Sequence, residues 1–272
     1  MAGVPPIAIV IAEKAKLYKS KHYMEGAAYE YDTPVPVTEW PHPARRADIM
    51  ETSDSISYAT EIYRDGSKIG GKVGAGMAIY TDKTLVRQCK YKLQGCCSNN
   101  QAEQIAILKS LEILPTLDGS NPRTVAIYTD SKVTRAALKN NSIHSFLTEG
   151  IRNMVRHLTL LDWTIHFGWV KANAVIEDNE MADALAKEAA QDEDEHNIVY
   201  DRIPTTTAAT ELKKEGIIKW QRQWERTAKG ALCRSFFPTV EQRLKVNYPS
   251  HRSSLLWSPV TERQSLICTD LN

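Results

Sequence analysis

Glu61-Ile-Tyr-Arg-Asp-Gly-Ser67 is the stretch around which the rest of the sequence is organised. Its β-branched and aromatic residues favour a strand, and the aspartate followed by two small residues indicates that the strand ends there. A second stretch, Ala126-Ile-Tyr-Thr-Asp-Ser-Lys132, repeats the pattern. If the two strands are parallel neighbours, their ends lie about 5 Å apart, and Asp65 and Asp130 lie side by side. Each aspartate alone is more simply explained as a turn residue, but the repetition favours a shared site.

Two carboxylates at this distance repel each other unless a proton or a cation lies between them. The neighbouring sequence supplies no fixed partner, since the alternation of a strand directs Arg64 to the face opposite Asp65. We therefore expect a divalent cation between Asp65 and Asp130.

The composition limits the classes of protein to which the chain can belong. With 42% hydrophobic residues and a formal net charge of +1 over 272 residues, it is typical of a soluble protein. The balanced charge provides no global field for polyanions, so any nucleic-acid surface has to be local. Five cysteines without a Cys-x-x-Cys pair favour a reducing, intracellular compartment. The apolar run Val4–Ala12 contains two prolines and is too short to cross a bilayer, so we expect no signal peptide and no membrane segment.

The order of the predicted elements indicates an α/β fold. Three strands of a hairpin meander precede a helix that begins with a capping box of Ser98 and Gln101. The order β-β-β-α-β-α-α-β-α predicts a mixed sheet with helices on both faces. The predicted bounds are strands 60–63, 73–80, 85–93, 124–129 and 163–170, and helices 98–114, 131–140, 143–159 and 179–190.

We expect three segments along the chain. Residues 1–57 form a short helix and a proline-rich linker, residues 58–191 form the α/β domain, and residues 192–272 form a basic amphipathic helix, about 206–233, and an irregular tail. Gly216 weakens the prediction of this helix in its middle. Trp220 and Trp224 lie one turn apart among its basic residues. They could stack nucleic-acid bases, or they could dock the helix on a core; the sequence leaves both open.

Two further acids lie in the first turns of predicted helices. Glu103 follows the capping box, and Asp183 lies beside the apolar stripe of the last helix. Taken singly, each is more simply explained as an acid that complements a helix dipole.

Together these residues resemble the signature of a known family. Five stretches match type 1 ribonuclease H in residue type, order and approximate spacing. They are Asp65-Gly-Ser, Ser98-Asn-Asn-Gln-Ala-Glu103, Thr129-Asp-Ser131, Trp169-Val-Lys and, after it, Asn179-Glu-Met-Ala-Asp183. The resemblance covers about residues 59–190. More narrowly, the chain resembles the ribonuclease H domain of a non-LTR retrotransposon polyprotein, where Gly3-Val-Pro-Pro-Ile7 and the proline-rich linker resemble the segment after the reverse transcriptase.

The resemblance implies a five-stranded mixed sheet and an endonuclease that cleaves the RNA strand of RNA–DNA hybrids. It implies two Mg²⁺ ions, for which Mn²⁺ can substitute: one activates the attacking water and the other stabilises the leaving 3′ oxygen. The ligands that it implies are Asp65, Glu103, Asp130 and Asp183. The residues that it implies as contacts to 2′-hydroxyls, base edges or phosphates are Gly66, Ser67, Ser98, Asn99, Asn100 and Ser131. Turn and cap chemistry is the alternative explanation for this second set.

The sequence departs from the family pattern beside these acids. Asn173, which we count among the substrate-binding candidates, stands where the family usually has a histidine, and an amide cannot act as a general acid or base. Val175 and Asp178 stand where glycine is common, and Arg64 where a smaller residue is. We expect His166, inside a strand, to be packed rather than to replace the missing histidine. These changes predict reduced turnover, and a catalytically degenerate nucleic-acid-binding module of a retroelement remnant is the alternative.

Two other enzyme classes share this broad architecture. A sugar-kinase-like ATPase would need a glycine-rich phosphate loop beyond Asp65-Gly-Ser, and the sequence has none. A 3′ exonuclease would place two acids one residue apart on its first strand, whereas Glu61 and Asp65 are too far apart for that arrangement.

Overall fold

The computed structural model describes residues 5–22, 31–53, 55–117, 123–169, 177–227 and 230–246. The chain divides into two compact units, one of residues 27–204 and the other of residues 1–26 together with 205–272. The larger unit includes short strands from both segments that flank the predicted α/β domain. The predicted segment limits of 1–57, 58–191 and 192–272 remain predictions.

The larger unit is built on a mixed β-sheet. Its strands are β2 (Met50–Glu51), β3 (Thr60–Ile69), β4 (Lys72–Thr81), β5 (Thr84–Leu93), β6 (Thr124–Thr129), β7 (Thr164–Trp169) and β8 (Ile198–Tyr200); β1 (Tyr31–Asp32) and β9 (Ile203–Pro204) form a separate pair. The sheet order is β2-β7-β6-β3-β4-β5-β8. The predicted α/β fold with a five-stranded mixed sheet is confirmed, and the short strands β2 and β8 extend that sheet at its two edges. The prediction that the first strand ends at Asp65 is wrong, because β3 continues to Ile69 through its antiparallel pairing with β4.

Tight turns and one parallel crossover set the directions of the central strands. β3, β4 and β5 are antiparallel, and their turns contain Gly70 and Gly71 with φ of 58° and 83° and Asp82 and Lys83 with φ of 48° and 63°. Positive φ at both central residues suits the right-handed twist of a two-residue hairpin. β6 runs parallel to β3 and β7 parallel to β6, so the carboxyl ends of β3, β6 and β7 lie at one edge.

Helices cover both faces of the sheet. The helices of the chain are α1 (Ile7–His22), α2 (Asn99–Ile113), α3 (Lys132–Lys139), α4 (Phe146–Thr159), α5 (Glu177–Gln191), α6 (Thr205–Arg226), α7 (Ala231–Phe236) and α8 (Val240–Leu244). A Cβ at Gly66 would meet α2, whereas a Cβ at Gly76, the partner of Asp65, would meet α5. Because neighbouring residues of a strand point to opposite faces, α2 and α5 lie on opposite faces of the sheet. The main core includes Ile62, Ile127 and Phe167.

Helix α5 lies unusually close to the sheet. A Cβ at Gly74 would lie 2.3 Å from the backbone nitrogen of Ala190, and a Cβ at Gly76 would lie 2.4 Å from that of Ala186. Only glycine permits this approach, and the facing side of α5 is made of alanines. The close contact fixes the first turns of α5, which carry Asp183, against β3 and β4.

The smaller unit packs α1, α6 and α8 around its own core. Ile9, Trp220 and Val240 are buried together, and Trp224 is partly buried beside them, its Nε1 donating to the Phe237 carbonyl at 3.1 Å. Of the two alternatives that the sequence left open, the structure favours docking, since both tryptophans pack in this core. No described helix is both long and apolar enough to cross a lipid bilayer.

The structure corrects the predicted secondary structure of the C-terminal segment in two places. The helix expected over 206–233 ends at Arg226, and a new helix begins after Gly230, whose φ of 79° terminates helical geometry. Gly216 does not interrupt α6, since it is buried against α1. The tail expected to be irregular contains α8, which begins with a capping box at Thr239. Residues 247–272 lie outside the described part of the chain.

Candidate active site

The parallel pairing of β3 and β6 brings two aspartates to one edge of the sheet. Tyr63 pairs with Tyr128, and Asp65 and Asp130 each follow two residues later. Glu103 reaches the same place from α2. Asp65, Glu103 and Asp130 each have a carboxylate oxygen within 4.8 Å of the others, which is close enough for one cation to contact all three. We call these three residues the carboxylate cluster.

The local sequence explains how Glu103 reaches the sheet. Ser98 caps α2: its hydroxyl accepts from the Gln101 backbone N–H at 3.2 Å, and the Gln101 side chain accepts from the Ser98 N–H at 2.9 Å. This capping box fixes the start of the helix, so that Glu103 lies directly above Gly66. A Cβ at position 66 would lie only 2.7 Å from the Glu103 nitrogen, and a glycine is therefore required.

Backbone and side-chain donors hold the two carboxylates that face each other across Gly66. The Gly66 N–H donates to Asp65 Oδ1 at 2.7 Å and to Glu103 Oε1 at 3.3 Å. Burial raises the pKa of the Asp65 carboxyl to about 8, with further contributions from the charge and the hydrogen bond of Glu103 and from the charge of Asp130; the Gly66 N–H acts in the opposite direction. The metal-free cluster therefore holds a proton at neutral pH, as expected of carboxylates that lack a cation.

Arg64 supplies a partner that the sequence did not reveal. Its side chain is fully buried on the α2 face, where Nη1 forms an ion pair with Glu103 Oε2 and donates to the Glu103 carbonyl at 3.0 Å. Arg64 does point away from Asp65, as alternation requires. This pair was not predictable from the sequence, because a contact between residues 39 positions apart depends on how the helix packs.

Asp183 is not part of the carboxylate cluster in this structure. Its carboxylate accepts from Lys187 Nζ at 2.6 Å, one turn further along α5, and its side chain is 38% exposed. Asp183 raises the pKa of Lys187, and the charge of Asp65 contributes more weakly, so the pair lies within electrostatic range of the cluster. The structure thus brings together three of the four expected ligands and places the fourth in a surface ion pair nearby.

The expected substrate contacts fall into two groups. Asn99 is exposed, and Asn100 and Ser131 are joined through a residue that the sequence did not single out: Thr134 donates to Asn100 Oδ1 at 3.1 Å and accepts from Ser131 Oγ at 2.9 Å. The hydroxyl of Ser98 is engaged in its cap, and Ser67 is 7% exposed.

The histidine considered as a replacement at the Asn173 position is placed with its side chain. His166 is 7% exposed, and its Nδ1 lies 3.0 Å from the Glu51 carbonyl, so it is packed as expected. Asn173 and Val175, and the side chain of Asp178, lie outside the described residues.

The donor set of the site is suited to a hard divalent cation. Carboxylate oxygens are the ligands that Mg²⁺ and Mn²⁺ prefer, and three carboxylates converge at the cluster. The fold and the site together define a ribonuclease H-like α/β protein with a carboxylate-rich centre.

Comparisons with known proteins agree with this class. The family model described as RNase H matches residues 57–191. Ribonuclease H of Vibrio cholerae serotype O1 is 30% identical over 161 residues, which cover 53% of this chain and 96% of that protein. Ribonuclease H of Bartonella tribocorum is 32% identical over 141 residues, covering 47% of this chain and 87% of that protein. The solved structure of RNase H1 from the halophilic archaeon Halobacterium salinarum shares 23% identity, with a TM-score of 0.38, and the match covers 48% of this chain and 97% of that one.

The chain belongs to the RNase H family, and the predicted enzyme class, a ribonuclease H-type hydrolase, is confirmed.

Proposed function

We propose that this chain is an endoribonuclease that hydrolyses the RNA strand of RNA–DNA hybrids with the help of a divalent metal ion. The observation that carries the proposal is the carboxylate cluster, in which carboxylate oxygens of Asp65, Glu103 and Asp130 come within 4.8 Å of one another just beyond the last paired residues of β3 and β6. Similarity to ribonucleases H over most of their length supports the choice of substrate.

The candidate metal ligands are the carboxylate cluster and, from α5, Asp183. We propose Mg²⁺ as the metal, with Mn²⁺ as a substitute. Such an ion lowers the pKa of a water molecule and stabilises the negative charge that develops on the leaving oxygen. The family resemblance implies two ions, and the Arg64–Glu103 ion pair bears on how many this chain holds. Hydrolysis would break the bond between phosphorus and the 3′ oxygen, leaving a 5′-phosphate and a 3′-hydroxyl.

The polar residues beside the cluster are suited to recognise RNA. Asn99 is exposed, and the Asn100–Thr134–Ser131 network presents amide and hydroxyl groups at the starts of α2 and α3. Such groups can hydrogen-bond a 2′-hydroxyl, which distinguishes RNA from DNA. Gly66, Ser67 and Ser98 complete the proposed contact set because they match the family positions named above. Asn173 belongs to the same proposed set.

Other parts of the proposal concern context. A retrotransposon origin is supported by the resemblance of residues 3–7 and of the proline-rich linker. An intracellular location is supported by the free thiols of Cys89, Cys96 and Cys97. The exposed basic face of α6 is a proposed secondary contact to nucleic acid through phosphates; its members are Lys213, Lys214, Lys219, Arg222 and Arg226.

The experiment that tests the function is cleavage of an RNA–DNA hybrid labelled on each strand in turn. We expect Mg²⁺ or Mn²⁺ to support cleavage of the RNA strand alone, and a chelator to abolish it. An RNA–RNA duplex and a DNA–DNA duplex of the same sequence are the controls and should stay intact. Cleavage of the DNA strand, or cleavage that persists in chelator, would contradict the proposal.

A hybrid-binding module without efficient chemistry is the second candidate. The observation that favours it is the ion pair of Arg64 with Glu103, which engages one of the carboxylates that the chemistry needs. Salt-sensitive binding of the hybrid without cleavage in either metal would support this candidate over the first.

A further inference from the structure

The carboxylates of Glu103 and Asp130 differ in how many hydrogen-bond donors the protein supplies to them. Both Glu103 carboxylate oxygens have protein donors: Oε2 pairs with Arg64, and Oε1 accepts from the Gly66 N–H at 3.3 Å. Among the described residues, no donor contacts the Asp130 carboxylate. An incoming cation can therefore use Asp130 without breaking an existing contact, but it can use Glu103 fully only by displacing Arg64.

The Arg64 side chain is fully enclosed by the described residues. Its side chain is 0% exposed, and its Nε and Nη2 are buried without a hydrogen-bond partner among the described residues. The ion pair with Glu103 and the bond to the Glu103 carbonyl are its compensation for burial. Breaking the pair would leave an uncompensated cation in the protein interior, which is strongly unfavourable.

The balance of charge at the site also favours an intact Arg64–Glu103 pair. Asp65, Glu103, Asp130 and Asp183 carry four negative charges when ionised. Arg64 neutralises one through Glu103, and Lys187 neutralises one through Asp183. The two charges that remain belong to Asp65 and Asp130, and one divalent ion balances them.

We propose that Arg64 takes the place of one of the two divalent ions, so that this chain binds a single ion between Asp65 and Asp130. Glu103 then remains paired with Arg64 and acts through it, and Arg64 is a positioning residue that supplies a permanent positive charge beside the cluster. This inference rests on the proposed function for the identity of the metal site, and it changes the number of ions and the role of Glu103.

The test is a count of bound Mn²⁺ by electron paramagnetic resonance, which reports the free ion and the dipolar coupling of two neighbouring ions. Mn²⁺ alone is titrated into metal-free full-length protein at pH 8. We expect one Mn²⁺ per wild-type chain without dipolar coupling. Arg64→Gln keeps a donor for the Glu103 carbonyl but removes the charge, and we expect two coupled Mn²⁺ ions per chain. Lys68→Gln is the matched control because it removes a positive charge from the same strand, where the Lys68 ammonium donates to the carbonyls of Gly95 and Cys97; its count should stay at one.

Each outcome supports or overturns the inference. Two ions in the wild type, or one ion in folded Arg64→Gln, would overturn the role of Arg64 and leave the proposed nuclease function standing. No Mn²⁺ bound to the wild type would instead contradict the metal centre of the proposed function. If Arg64→Gln does not fold, the wild-type count decides, since one ion supports the inference and two refute it.

Discussion

Replacing Asp65 by asparagine should stabilise the metal-free protein at alkaline pH, although it removes a candidate metal ligand. The reason is that burial, Glu103 and Asp130 together raise the pKa of the Asp65 carboxyl to about 8, whereas an aspartate in an unfolded chain titrates near pH 3.9. Between these values the folded protein binds more protons than the unfolded chain. The free energy of unfolding of the wild type therefore falls as the pH rises through this window.

The expected size follows from the difference in proton uptake. One proton contributes up to about 1.4 kcal/mol per pH unit, so the wild type loses at most about 4 kcal/mol between pH 5 and pH 8 through Asp65. Asparagine has nearly the shape of aspartate and is neutral throughout, so Asp65→Asn does not lose this amount. At pH 5 the two proteins should have similar stability, and at pH 8 the variant should be more stable by a few kcal/mol.

Urea unfolding in chelator, followed by tryptophan fluorescence at several pH values from 5 to 8, measures this difference. Asp162→Asn, which removes an exposed carboxyl outside the cluster, is the control and should follow the wild type. Addition of Mg²⁺ at pH 8 should stabilise the wild type more than Asp65→Asn, because the ion replaces the missing positive charge. Parallel stability curves for the wild type and Asp65→Asn would refute the reasoning that burial and the neighbouring carboxylates raise the pKa of Asp65 in the folded protein.

Four further substitutions test the packing and the chemistry. Gly76→Ala should destabilise the protein by about 3 kcal/mol, since its Cβ would lie 2.4 Å from the backbone of α5. Gly150→Ala should instead stabilise α4 by about 0.5–1 kcal/mol, because its Cβ has no neighbour closer than 4.0 Å. Urea unfolding measures both changes in the free energy of unfolding. Arg152→Met should cost about 3–5 kcal/mol in the same assay, because Arg152 pairs with buried Glu149 and donates to carbonyls at the end of α3; a loss below 1 kcal/mol would show that this network is not important. Asn173→His should raise the initial rate of hybrid cleavage roughly 10- to 100-fold by restoring a titratable group, and an unchanged rate would exclude this position as the limit on turnover.

The strand pattern was sufficient to predict where the aspartates meet. The similar alternating patterns of the two strands predict a parallel pairing whose geometry is the same in every sheet, and this pairing places Asp65 near Asp130 even though β3 continues past Asp65 to Ile69. The capping box of Ser98 likewise set the start of α2, and with it the position of Glu103. These features depend on contacts between residues close in sequence or on regular sheet geometry. Both produce a recognisable pattern in the amino-acid sequence.

Contacts that depend on tertiary packing were not predictable in the same way. The Arg64–Glu103 pair forms because α2 lies on the face to which Arg64 points, and nothing in the local sequence of either residue indicates the other. The Asp183–Lys187 pair, in contrast, could be predicted from sequence, because an acid four residues before a lysine on a helix commonly forms an ion pair. This ion pair holds Asp183 outside the cluster. Strands β2 and β8 have too few residues to show any period.

The central claim is that the carboxylate cluster performs metal-dependent cleavage of RNA in a hybrid, and Asp130→Asn tests it most directly. Asp130 carries a carboxylate without a described donor, so the amide should remove negative charge while preserving shape and fold. We predict that the rate of RNA-strand cleavage in Mg²⁺ falls at least about 100-fold in Asp130→Asn, while the control Asp162→Asn keeps the wild-type rate. In Mg²⁺-free buffer, the free energy of unfolding of both variants should stay within about 1 kcal/mol of that of the wild type. Wild-type cleavage by a folded Asp130→Asn protein would contradict the assignment of this site.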